Sequence, residues 1–238
     1  MQAIEYMMSI QLARFGLTEL GVVNNISGAF GIFRTTFVRQ IGGWLNGTAE
    51  DLDMTLRMHA YLSRYPWLKV IHEPYAIAWT ESPATFMELM KQRARWDGDL
   101  YYIYITRHWR LFSTKIISFK KLFFIAWYGL YFQLVLPFVV LSYTIIIIFK
   151  FSLHVILSMF LMLYFYYLLV TLVMFMLFLL LVSECVKRDT RFIPWLFVLP
   201  LYNMVMRFMA LFFIMNEILF KGHNDSSMAP WWVIKKTK

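Results

Sequence analysis

Long apolar runs constrain this chain more than any other feature in it. Residues 122–149 carry no charge, residues 151–182 carry none beyond a protonatable His154, and residues 192–220 carry only Arg207 and Glu217. At 1.5 Å per residue each run makes a helix of about 42–48 Å, against a bilayer core of roughly 30 Å. Each is too long for one upright crossing and too short for two, so tilt, or ends that reach into the headgroups, is implied. Pro137 predicts a kink in the first helix, and Pro200 a break near the start of the third. The 238-residue chain is 60% hydrophobic and 16% charged. That excludes a disordered chain and an ordinary soluble domain, where roughly 45–50% apolar is usual. Cys185 is the single cysteine, which excludes a disulfide-built scaffold.

Charge placement predicts an orientation. Arg107, Arg110, Lys115, Lys120 and Lys121 precede the first run, Lys187, Arg188 and Arg191 separate the second from the third, and Lys150 alone separates the first from the second. The expectation is a multi-pass protein of the cell (inner) membrane with residues 1–121 and 183–191 in the cytoplasm. The net charge of +9 reflects that placement, so nucleic acid is not implied as a partner. Parity then carries the tail outside, against its own Lys221, Lys235, Lys236 and Lys238. A third run that is re-entrant or interfacial is the alternative. Residues 107–121 predict a basic helix in the interface, with Trp109, Phe112, Ile116 and Phe119 on one side; a plain basic loop is the bland reading. Residues 1–20 contain Glu5, Arg14 and Glu19 and no apolar core run, so no cleavable signal peptide is expected.

The first 106 residues alternate helix and strand signals. Helices are expected over 2–15, over 51–64 after Thr48, and from Thr85, where Glu88 completes a capping box. Strands are expected over 25–34, interrupted by Gly28 and Gly31, and over 68–72 and 75–80. The pattern predicts an α/β unit with too few strands for a complete doubly wound sheet.

Three constellations could carry chemistry. Gln92, Arg95, Trp96 and Asp99 share one helix face. An Arg fork suits a diphosphate, an amide can position a hydroxyl, and an indole offers a flat surface to a sugar ring. A solvated face anchored by Trp96 at the interface explains the same spacing. Glu50 and Asp51 open a helix, where an ionised carboxylate is favoured and can serve as general base; plain capping by Thr48 is the competing reading. Ser27 to Gly31 places glycines where a backbone can approach a ligand or a strand can bulge, and it is not a phosphate-binding loop. His59, His72, His108, His154 and His223 are scattered, so no zinc site is expected. Arg207, at a cost of roughly 2.5–3.5 kcal/mol in mid-membrane, should line a polymer path, pack against Asn203 or snorkel.

In order, the chain reads SGAFGIFR, GGW, TAEDLDMTLRM and TESPATFMELMKQRARWDGD, then a basic stretch and apolar helices. This resembles the C-terminal half of a processive, membrane-embedded family 2 glycosyltransferase, the group that includes synthases of cellulose, hyaluronan, chitin and poly-N-acetylglucosamine. Residues 1–106 carry the resemblance by motif. Residues 107–238 carry it by layout: the interfacial stretch 107–121, apolar segments over 122–220 (about 122–149, 151–182 and 192–220) and a tail over 221–238. The three closing segments and the tail with Trp231 and Trp232 look most like the poly-N-acetylglucosamine type.

The resemblance implies the C-terminal part of an α/β glycosyltransferase A-type domain followed by transmembrane helices. It implies inverting transfer, here of N-acetylglucosamine, from a UDP-sugar donor to a growing β-linked polysaccharide acceptor. Asp51 would be the general base, supported by Glu50. Gln92 and Arg95 would contact the acceptor end and the donor diphosphate, Trp96 would stack on the terminal sugar, and Ser27 and Gly28 would line the acceptor site. The family's divalent cation, Mg or Mn, sits on an Asp-x-Asp motif; no Asp precedes Asp51 here, so the metal and donor sites are expected outside this chain, on a donor-binding half or another synthase subunit. The alternative is a catalytically incomplete homologue, a non-enzymatic membrane partner in assembly or regulation. A transporter ranks last, since only Asn203, Arg207 and Glu217 offer intramembrane polarity.

Overall fold

Residues 1–44 and 49–222 are described by the structure, a computed structural model. Thr48, His223, Trp231, Trp232 and the lysines of the tail beyond Lys221 lie outside the described residues. The chain opens with α1 (Gln2–Tyr6), a π-helical stretch (Met7–Leu12) and α2 (Ala13–Glu19), which follow one another without a break. Next come α3 (Thr35–Gln40), α4 (Glu50–Arg64) and α5 (Phe86–Tyr101), the last continued by a π-helical turn (Tyr102–Arg107). The expected capping box opens α5: Thr85 Oγ1 accepts from the Glu88 N–H at 3.2 Å, and Glu88 Oε2 accepts from the Thr85 N–H at 3.3 Å.

The α/β expectation is overturned. Among the described residues there is no strand and no sheet. The segments expected as strands are coil, because a strand needs a ladder partner for its backbone groups and these groups are taken elsewhere. Thr55 Oγ1 accepts from the Ile26 N–H at 3.1 Å, Asp51 Oδ2 from the Gly28 N–H at 3.1 Å, and Thr18 Oγ1 from the His72 N–H at 2.9 Å. Residues 25–28 are thus laid on α4 by its side chains. Residues 107–121 are not one helix either: a 3-10 turn (Trp109–Leu111) and bends lead to α6. Phe112 packs on Tyr104 and Ile117 is buried, so apolar side chains of this stretch turn toward the protein.

The membrane part is a hairpin and a third helix. A helical run of 32 residues, Phe119–Lys150, comprises α6 (Phe119–Ile125), a π-helical stretch (Ala126–Val135) and α7 (Leu136–Lys150). Phe151 and Ser152 connect it to α8 (Leu153–Leu181), 29 residues long. After α9 (Val186–Asp189) and a 3-10 segment (Thr190–Phe197), Pro200 sits in the first turn of α10 (Leu199–Phe220), where a missing N–H costs nothing. Among the described residues, three helices are therefore long and apolar enough to cross a membrane, the third the least apolar.

Two cores hold these pieces together. Leu52 and Leu56 of α4 share one with Ile103, Tyr104, Ile117, Ile125, Leu134 and Ile214. Ile4 shares the other with Phe175 and Phe178 of α8, with Val182 just after it, and with Leu196 and Leu199. Arg207 Nη1 donates to the Phe132 carbonyl, so this intramembrane arginine is spent on backbone, not on Asn203.

Candidate functional site

The site begins at the first turn of α4. Asp51 Oδ1 accepts from the Leu52 N–H at 2.7 Å, and its Oδ2 accepts from the Gly28 N–H at 3.1 Å. The approach is close: a Cβ on Gly28 would come within 3.1 Å of Glu50 Oε1 and 3.4 Å of Asp51 Cβ, so the Glu50 side chain would have to give by a few tenths of an ångström. Ser27, Gly28, Glu50 and Asp51, far apart in sequence, are thereby brought together. Burial raises the Glu50 carboxyl above the usual range; its backbone hydrogen bond and Arg95 pull it back, and Asp51 pushes it further up.

Arg95 reaches this cluster electrostatically, whereas Gln92 and Trp96 face the N-terminal helix. Gln2 Nε2 donates to Gln92 Oε1 at 2.6 Å and to the Tyr6 hydroxyl at 2.9 Å. Trp96 is 38% exposed, with the Tyr6 ring 6.4 Å away and the Arg93 guanidinium 4.9 Å from its centroid. Arg93 is itself gripped by both carboxylate oxygens of Glu5. The predicted residues thus fall into two neighbouring groups: Ser27, Gly28, Glu50, Asp51 and Arg95 in one, Gln92 and Trp96 in the other. Asp99 is buried instead of lining the open face.

Sequence reasoning missed several participants. Arg14 lies near Asp51 and His72; burial lowers its guanidinium, and Asp51 pulls it back up. Gln2, Tyr6 and Arg93 complete the surroundings of Trp96. Burial lifts the Asp97 carboxyl to about 6, with Arg93 and Arg207 opposing. None of these shares a local motif with α4, and only the fold of α1 against α5 brings them in. Asp53 carries no motif signal of its own. It is 1% exposed and binds Arg57 at 2.7 Å, His108 at 2.5 Å and Arg107 at 3.4 Å.

Chemically, the arrangement offers a half-exposed indole beside amides and a carboxylate pair facing Arg95. Among the described residues no group of His, Cys, Asp or Glu could hold a metal ion. A divalent cation therefore has no fitting ligands here, and no step is routed through one.

No family model matches the chain, and no solved structure matches it. It is similar to the poly-beta-1,6-N-acetyl-D-glucosamine synthase of Staphylococcus epidermidis, 27% identical over 132 residues, which is 53% of this chain and 31% of that relative. With the enzyme of the same name from Staphylococcus aureus strain COL it is 30% identical over 132 residues. The chain spans about a third of the length of these curated relatives, with 31% covered in each. Over about half its length, then, the chain shows remote homology to family 2 polysaccharide synthases, within a multi-span helical membrane architecture.

Proposed function

We propose that this chain acts as a catalytically incomplete, membrane-embedded homologue of a polysaccharide synthase, a partner in assembly or regulation of β-linked glucosamine polymer formation. The observation that carries this reading is the all-helical fold of the described residues, which offers none of the sheet that the resemblance to an α/β transferase domain implies. Asp51 serves that fold as a clamp, since each of its oxygens accepts one backbone N–H and together they tie α4 to the 25–28 segment. Trp96 and Gln92 retain the chemistry to touch a saccharide without reacting with it.

A second reading is favoured by the convergence of Glu50, Asp51, Gly28 and Arg95. In it, a donor-binding half outside the described residues would complete a UDP-sugar transferase, with Asp51 as base, Glu50 as its support, and Arg95 neutralising part of the leaving diphosphate.

Membranes containing the full chain, alone and beside a working poly-N-acetylglucosamine synthase, would be supplied with radiolabelled UDP-N-acetylglucosamine. The partner reading expects no incorporation by the chain alone, a changed polymer yield when the synthase is present, and the same change with Asp51→Asn. Incorporation that depends on this chain and disappears in Asp51→Asn overturns it in favour of the transferase.

A further inference from the structure

Cations gather at the foot of the first membrane helix with no acid to meet them. Between residues 100 and 183 the chain has no Asp or Glu. Arg107 is taken by Asp53, and Lys121 lies near His59 of α4. Arg110, Lys115 and Lys120 are exposed, and among the described residues none of the three forms an ion pair. Like charges this close along a chain raise each other's energy, and an anion supplied from outside relieves it.

The stretch that carries them is held in place. The His108 carbonyl accepts from the Leu111 N–H at 2.9 Å, and the Ser113 carbonyl accepts from the Ile116 and Ile117 N–H groups at 2.9 Å each. Ile117 is buried in the core with Leu52 and Leu56, and Phe112 packs on Tyr104 with ring centroids 5.3 Å apart. Ser63 Oγ of α4 accepts from the Ser118 N–H at 3.0 Å. With these groups spent inward, the stretch is a saddle fixed on α4, and its cations are on the outside. Trp109, Phe119 and Phe123 are exposed beside them, and the Arg110 guanidinium lies 5.3 Å from the Trp109 ring centroid.

Helix length sets the depth. The Phe119–Lys150 run has 32 residues, about 48 Å, which exceeds a hydrocarbon core by roughly 18 Å. Its ends therefore reach the headgroups, and the end at Phe119 is the one beside this cluster. Lysine and arginine heads at that level meet lipid phosphates, while tryptophan and phenylalanine rings settle at the acyl boundary.

We propose that the surface of residues 109–123 is a docking site for anionic phospholipid headgroups, with Arg110, Lys115 and Lys120 on the phosphates and Trp109, Phe119 and Phe123 in the adjoining acyl boundary. The exposed rings decide for lipid over a soluble polyanion, which would leave them in water. Arg107 and His108 bind Asp53, and Ser118 binds Ser63, so the segment that meets the lipid also carries α4. A bound lipid thereby sets where Glu50 and Asp51 stand above the bilayer. The site holds whether or not the chain transfers sugar.

The test is native mass spectrometry of the full chain in a neutral detergent, titrated with phosphatidylglycerol or with phosphatidylcholine. At about fivefold per cation beside an anionic surface, wild type should bind phosphatidylglycerol at least ~tenfold more tightly. Arg110→Gln/Lys115→Gln/Lys120→Gln should bring the two lipids within about twofold of each other, and Arg110→Lys/Lys115→Arg/Lys120→Arg, which keeps the charges, should retain the preference. Arg39→Gln/Arg64→Gln/Lys69→Gln removes three exposed cations elsewhere and should leave the preference unchanged. Polyphosphate at matched phosphate concentration should leave the bound lipid in place. The proposal is overturned by no preference in wild type, by a preference that survives loss of Arg110, Lys115 and Lys120, by an equal loss in both glutamine variants, or by displacement with polyphosphate.

Discussion

Arg207 Nη1 donates to the backbone carbonyl of Phe132 at 2.5 Å, and the reason lies five residues further along that helix. The Ala126–Val135 stretch is π-helical, and the Leu136 N–H reaches back to the Tyr131 carbonyl. The next bond in that register would run from residue 137 to Phe132, but residue 137 is proline and has no N–H. The guanidinium fills the place of the missing donor. Arg207→Leu should cost about 1–3 kcal/mol by leaving that carbonyl unpaired. In a Pro137→Ala background, where an N–H is restored, the same substitution should cost less. Thermal unfolding of the four proteins in detergent gives the cycle, and an equal cost in both backgrounds would contradict the account.

Acid should loosen the chain at His59. Its Nε2–H donates to the Val23 carbonyl at 2.5 Å, and its Nδ1 is buried without a partner. Burial, with some help from Lys121, lowers this imidazole to about 4 from 6.5, against the pull of the Val23 carbonyl. Protonation would place an N–H on Nδ1 with nothing to receive it. The folded value is below the unfolded one, so between about 6.5 and 4 the unfolded chain binds the proton and stability drops as pH falls, by up to ~3 kcal/mol. His59→Gln, which keeps a donor for Val23, should flatten that part of the stability profile. Asp97, raised to about 6, contributes the opposite slope in an overlapping window and remains in the variant, so the wild-type minus variant difference is the quantity to measure.

Gly129 leaves room for one ring. An ideal Cβ there would fall inside the Tyr104 side chain, 2.7 Å from its Cζ. Gly129→Ala should therefore destabilise by about 1–3 kcal/mol through overpacking. Combined with Tyr104→Leu, it should cost clearly less than the sum of the single changes. Additive losses in a detergent melting series would show that the contact is not what sets the helix distance.

Asp53 joins α4 to both of its neighbours. Arg57, held by Asp53, also donates to the carbonyls of Ile41 at 2.5 Å and Gly43 at 2.8 Å, while His108 and Arg107 approach from the other side. Burial works to raise the Asp53 carboxyl, but the His108 and Arg57 hydrogen bonds outweigh it and hold the group below its ordinary range. Asp53→Ala should cost about 3–5 kcal/mol, because it takes a buried carboxylate away from the partly buried Arg57 and Arg107. Asp53→Asn should cost less, and protease cleavage near residues 107–118 should separate the two variants from wild type.

Helix positions were legible where side chain and backbone agree locally. The Thr85–Glu88 box and the apolar period of 51–64 depend on residues within a turn of each other. The strands at 25–34, 68–72 and 75–80 were misread because the same residues suit any extended backbone, and whether a ladder forms depends on what competes for the amides. Thr55, Asp51 and Thr18 won that competition, from positions no pattern ties to Ile26, Gly28 or His72. Of the site, the Glu50–Asp51 pair at a helix start was legible, whereas the bond from the Gly28 N–H to Asp51 was not, since motif order does not say which backbone amide a carboxylate takes. The separation of Gln92 and Trp96 from Arg95 was not legible either, since it depends on how Gln2 and Tyr6 pack. Arg14 carries no signal at all, lying 37 positions before Asp51.

The two-residue link between α7 and α8 also dictates how the protein gets into a bilayer. Neither helix can be threaded alone, for the link is too short to leave one behind in water. The pair must enter as a loop, tip first, and the tip carries Lys150, the sole Lys, Arg, Asp or Glu between residues 122 and 183. Assembly therefore includes one obligatory charge transfer across the hydrocarbon. It is repaid by the burial of two long apolar helices, and it is made once, before anything else can fold around it.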